Sequence, residues 1–214
     1  MDGNSGAGFA ALANVLRKRP AVAPGERCDF CGEPVQPEHA HLVDLHARRI
    51  MCACRPCALV FEPQGAARGR YKPIPTRYAE VTGLALDDAA WDALQIPIEL
   101  AFFFRNSAED RTVACYPGPA GATESQLPLA TWDALAGSDP LVATVESDVE
   151  AIVVQRRRAG PARCYLVPID AAYQLVGMLR LAWRGFDGGD EARAQIERWF
   201  AALAERSRGL AAPR

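Results

Sequence analysis

The second half of the chain carries its apolar residues in short runs separated by turn residues. Residues 97–104 (PIELAFFF) and 111–116 (RTVACY) flank Asn106, Ser107, Ala108, Glu109 and Asp110, loop chemistry suited to a hairpin between two strands. Residues 150–156 (EAIVVQR) and 163–169 (RCYLVPI) repeat the arrangement around Ala159, Gly160 and Pro161. The pattern predicts four antiparallel strands. The period then lengthens. Asp170 reads as the N-cap of a helix over 171–183, and Gly189 or Asp190 opens a last helix to about Arg206, with Ile196, Trp199, Phe200 and Leu203 on one face. Packed on the strands, these helices give an α+β fold.

The first third reads differently. Residues 1–8 are small, polar and glycine-rich, and 9–19 place Phe9, Leu12, Ala13 and Leu16 at helical spacing before Pro20 stops them. Two short strands, 41–44 (HLVD) and 48–52 (RRIMC), are joined by Leu45, His46 and Ala47. Residues 63–77 hold three prolines and four basic residues and read as irregular. The predicted organisation is a flexible N-terminus with a short helix (1–25), a metal module (26–62), a basic linker (63–80), an α+β domain (81–207) and a disordered tail (208–214).

Composition narrows the class. Half of the 214 residues are hydrophobic and 23% are charged, enough for a packed core and against global disorder. A formal net charge of -2 gives no whole-surface attraction for a polyanion. No basic segment followed by a long apolar run opens the chain, and nowhere do about 18 apolar residues run together. The expectation is a cytoplasmic protein without a membrane span.

The chemistry lies in the cysteines. Five of the seven fall between Cys28 and Cys57, which argues for metal binding rather than disulfides. Cys28 and Cys31 form a C-x2-C-G knuckle, and Cys54 and Cys57 form a second C-x2-C after 22 intervening residues. Two residues between thiolates let a tight turn aim both sulfurs at one ion, and backbone N–H groups then spread their charge. Gly32 suits the exit of the first turn, where a positive φ is needed, whereas Ala58 follows the second pair. The spacing predicts a zinc ribbon held by Cys28, Cys31, Cys54 and Cys57, with the metal supplying roughly 10 kcal/mol or more of folding free energy. Cys52, His39 and His41 are alternates. The histidines share strand parity and either ligate, in a mixed site or a second one, or serve as surface groups and hydrogen-bonding neighbours. Four thiolates hold iron as well, so a rubredoxin-like electron carrier is an alternative.

Elsewhere the chain offers little catalytic chemistry. All three histidines, His39, His41 and His46, lie in the metal segment, which removes the usual general base from the larger domain. Arg48, Arg49, Arg55, Arg68, Arg70, Lys72 and Arg77, interleaved with Tyr71 and Tyr78, make a locally basic stretch. Nucleic-acid binders use that combination, but on a nearly neutral chain a solvated face or an acidic protein partner is the preferred reading.

Two stretches, CDFCGEPVQPEHAHLVDLHARRIMCACRPCALVFE at 28–62 and VEAIVVQRRRAGPARCYLVPIDAAYQLVGMLRLAWRGFDGG at 149–189, resemble an uncharacterised bacterial family encoded in operons of actinobacterial-type nickel-iron hydrogenases. The resemblance covers nearly all of the chain after residue 27. It implies a role in hydrogenase assembly or operation, with a hydrogenase subunit or maturation factor as partner, and no established activity.

Overall fold

Strand pairing organises the chain into two antiparallel sheets. The computed structural model describes residues 25–208 apart from 64, 85, 119, 126–129, 138, 158–159 and 186–187, so the helix expected over 9–19 and the tail beyond 208 lie outside it. The first sheet has three strands, β1 (Ala40–Asp44), β2 (Arg49–Ala53) and β3 (Tyr71–Pro73), in the order β2-β1-β3. Asp44 pairs with Arg49 across the β1–β2 turn, and Arg48 closes that turn at a φ of 52°. Helix α1 (Arg55–Phe61) follows directly.

The second sheet holds β4 (Ala79–Glu80), β5 (Leu100–Asn106), β6 (Arg111–Gly118), β7 (Gly121–Glu124), β8 (Glu150–Gln155) and β9 (Arg163–Pro168), in the order β4-β9-β8-β5-β6-β7. Both expected hairpins are present, β5–β6 and β8–β9, and they join edge to edge through β5 and β8. Asn106 sets the first turn, its Oδ1 accepting from the N–H groups of Ala108 and Glu109. Four expected strands become six because β4 and β7 extend the edges. At two and four residues, and with β7 reading Gly-Ala-Thr-Glu, neither carries an apolar period.

Alternation decides which layer each strand residue feeds. Leu100 and Phe102, with Ala151 and Val153, face α4 (Ile169–Ala182) and α5 (Gly189–Arg208), where Leu175, Leu179, Phe200 and Leu203 are buried. Ala101 and Phe103, with Ile152 and Val154, face a second layer. This layer comprises α2 (Asp88–Ala93), α3 (Ala130–Ala136) and a short turn at Val142–Thr144. The terminal helices therefore cover one face only, and Trp91, Leu94 and Trp132 cover the other.

Asp170 does not cap α4. Pro168, extended at a φ of -55°, occupies that position, and the helix begins at Ile169, whose side chain is needed in the core. Asp170 lies in the first turn and its carboxylate is engaged elsewhere. The stretch read as a linker divides between the sheets, since Tyr71–Pro73 pair with β1 and Ala79–Glu80 with β9. Between them Arg77 makes a two-pronged contact with Glu150, at 2.9 and 2.7 Å, on a carboxylate that is almost wholly buried. No helix among the described residues is long and apolar enough to cross a membrane.

Candidate metal centre

The first knuckle is built by its backbone. The N–H of Cys28 donates to Glu33 O at 2.9 Å, the N–H of Gly32 donates to Cys28 O at 2.9 Å, and Gly32 sits at a φ of 77°, as its place in the motif requires. The second C-x2-C does not repeat this turn. Cys54 is the N-cap of α1, and the N–H of Ala58 donates to Cys54 O at 2.9 Å. Pro56 is at home in a first helical turn, and with alanine rather than glycine after Cys57 the chain coils on instead of reversing.

The Sγ atoms of Cys28, Cys31, Cys54 and Cys57 all lie within 4.8 Å of one another. Cys31 and Cys54 are 3.6 Å apart, close to the tetrahedral edge of about 3.8 Å that metal–sulfur bonds near 2.3 Å imply. Burial pushes the Cys28 thiol up, but the backbone N–H groups of Cys54, Cys31 and Phe30 outweigh it and bring the group down to about 6. Cys57 is pushed up to about 12, mainly by the neighbouring Cys54 thiol, then by burial and the other two sulfurs. Sulfurs held this close cannot all ionise without a cation among them, so the donor set fits a metal ion.

Cys52, His39 and His41 do not join this cluster. One ring nitrogen of each histidine and the Cys52 Sγ form a separate group, again within 4.8 Å of one another. His46 belongs to neither; it lies in the β1–β2 turn, where its N–H donates to Asp44 Oδ1 at 3.1 Å.

Several groups that hold the site in place carry no signal in the sequence. Asp29 clamps β2 to the knuckle, its N–H donating to Cys52 O at 2.8 Å and its Oδ2 accepting from Cys52 N at 2.7 Å. Asp44 is buried and receives Arg70 Nη2 at 2.7 Å; Arg70, assisted by the N–H groups of Ala47 and His46, holds its carboxyl down to about 2 despite burial. Phe30, Phe61 and Tyr71 cluster with ring centroids 4.7 to 5.3 Å apart and pack knuckle, helix and β3 together. Lys72 reaches Glu146 at 3.0 Å and Arg48 reaches Glu109 at 2.8 Å, both across to the larger sheet's loops. Between the two sheets lies a cleft of about 400 Å³, lined by Val43, Ile50, Phe104, Ile169 and Tyr173 and flanked by Arg48.

Residues 27–207 match the model of a family described as a family of unknown function, DUF5947. No curated protein and no solved structure matches the chain.

Proposed function

Because the chain belongs to this family of unknown function, its role has to be read from its own site, and we propose that it is a metal-binding interaction protein whose four-cysteine module is a structural zinc ribbon. The observation that carries this reading is the convergence of Cys28, Cys31, Cys54 and Cys57 from two elements far apart in sequence. Four thiolates with no open position are the donor set of a structural rather than a catalytic zinc. When bound, the ion supplies cohesion to a unit whose sheet has only three short strands.

The docking role rests on α1. None of its residues is buried, and Leu59 and Val60 are 49% and 65% exposed beside the cysteine cluster. The resemblance of residues 28–62 and 149–189 to a hydrogenase-operon family supplies the class of partner, a nickel-iron hydrogenase subunit or maturation protein. Pairing of the basic residues favours this over nucleic acid. Arg48, Arg49, Arg70, Lys72 and Arg77 each face a carboxylate of the chain itself, which leaves little of the stripe free for phosphates.

Protein purified from iron-replete cells is expected to be colourless and to contain zinc. A red, redox-active product would replace this reading with the electron carrier. Tagged protein in its native host should capture a hydrogenase subunit or maturation protein, and Leu59→Glu with Val60→Glu should lose it without loss of metal. Capture of nucleic acid that collapses in modest salt would overturn the partner assignment.

A further inference from the structure

His41 stands directly across from Cys52 in the β1–β2 register, and His39, one residue before β1, projects beside it. The two imidazole rings are 4.4 Å apart. We infer that His39, His41 and Cys52 form a second, mixed-ligand site for a divalent transition-metal ion, separate from the four-cysteine cluster, with Asp170 as its positioning residue.

The hydrogen bonds of the histidines carry the argument. His39 Nδ1 lies 2.8 Å from Gln36 O. A carbonyl only accepts, so Nδ1 carries the proton and Nε2 presents its lone pair. That Nε2 is buried on a side chain 5% exposed, and it has no hydrogen-bond partner. Glu26 Oε2, at 3.8 Å, is too far to satisfy it. A buried lone pair facing a second imidazole and a thiol lacks a positive centre, which a metal ion supplies.

His41 is prepared in the same way. Its Nδ1 is 2.7 Å from Asp170 Oδ2, so the carboxylate fixes the tautomer and orients the ring. Metal-bound histidines characteristically donate their remaining N–H to a carboxylate or a backbone carbonyl; here one does each. This also accounts for Asp170 lying inside α4 rather than capping it.

The cluster is not a set of spare ligands for the first site, which already has four sulfurs for a tetrahedral ion. Two imidazoles and one thiolate suit zinc and its first-row neighbours rather than magnesium or calcium. Three protein ligands leave one coordination position open, the arrangement of metal sites that exchange water or bind a small ligand. Glu26 Oε2 lies 3.8 Å from His39 Nε2, on a side chain 67% exposed. The inference does not depend on the hydrogenase partner or on which metal fills the four-cysteine cluster.

Cobalt(II) titration of the reduced, metal-free full chain tests it. Two equivalents per chain are expected, one with the strong thiolate-to-cobalt absorption of four sulfurs and one with the weak absorption of a single sulfur. His39→Ala and Cys52→Ser should each remove the second equivalent and leave the first. Asp170→Asn should weaken the second by about 10–100-fold and leave the first unchanged, which a loss of fold would not do. A single equivalent in the parent chain, or loss of the four-sulfur spectrum in folded His39→Ala or Cys52→Ser, overturns the proposal. Should those variants fail to fold, the cobalt-loaded parent decides by NMR. Two paramagnetically shifted, exchangeable imidazole N–H signals are expected from His39 and His41, and their absence at two equivalents overturns it.

Discussion

Single side chains fix much of this structure through charges held at the edge of the core. Glu197 of α5 is one that lends itself to measurement. Its carboxylate accepts from Gln155 Nε2 at 2.7 Å and from Arg163 Nη1 at 3.0 Å. The Gln155 contact outweighs burial and, with Arg163, holds the group below its ordinary value of 4.5. A carboxyl lowered in the folded state stabilises it above the unfolded value and ceases to as pH falls through the folded one. The urea midpoint of the parent, read by tryptophan fluorescence, should therefore exceed that of Glu197→Gln at pH 7, and the gap should close progressively below about pH 4.5. A gap that widens in acid would contradict the assignment. Cys115 and Cys164 illustrate the opposite environment. Burial pushes both thiols up to about 12, so they serve as small apolar core residues, as their apolar flanks in the sequence suggest.

At the scale of elements, the least expected part is the second layer on the larger sheet. α2 and α3 are 6 and 7 residues long, too short to be stable helices alone, and they persist through what they bury. Trp132 of α3 stacks on Phe103 of β5 with ring centroids 3.6 Å apart and planes 4° from parallel. It is 3% exposed. Trp132→Ala should lower the unfolding free energy by about 3–5 kcal/mol, whereas Trp132→Phe, which keeps a stacked ring, should cost clearly less. Equal costs in denaturant unfolding would show that the stack contributes little. The long helices were easier to anticipate. α5 presents Phe200 and Leu203 fully and Ile196 and Trp199 partly to the core, at the spacing its sequence displays.

For the whole molecule the question is how far the cysteine module and the larger sheet depend on each other. Val43 is buried in the same cluster as Phe102 and Val153, with Leu45, Ile50 and Ile74 packed against it. The larger sheet nevertheless has its own layers on both faces, and the chain passes from one sheet to the other between Pro73 and Ala79. Cys31→Ser should therefore abolish the module's structure, lower the thermal midpoint of the remainder, and still leave residues 95–207 folded and soluble. The four tryptophans, at 91, 132, 183 and 199, all lie beyond the module, so their emission reports on the larger unit alone. Native-like emission together with rapid proteolysis before residue 74 is the expected result. Loss of the native tryptophan signal would mean that the two units fold as one.

The sequence by itself determined the chemistry and the local geometry: the C-x2-C spacing, Gly32 in its turn, the two hairpins around Asn106 and Gly160, and the apolar face of the last helix. Each rests on residues within a few positions of one another, where covalent geometry and side-chain period leave few alternatives. Only the tertiary structure decided that the seven candidate ligands separate into a group of four and a group of three, and that Asp170 meets His41 across 129 positions. It also decided that Arg77 pairs with Glu150, and that β4 and β7 complete the larger sheet. Those outcomes depend on which surfaces approach when two sheets and their helices bury a shared core. No local pattern encodes that choice, because it is made by packing and by the cost of leaving a buried charge or lone pair unmatched.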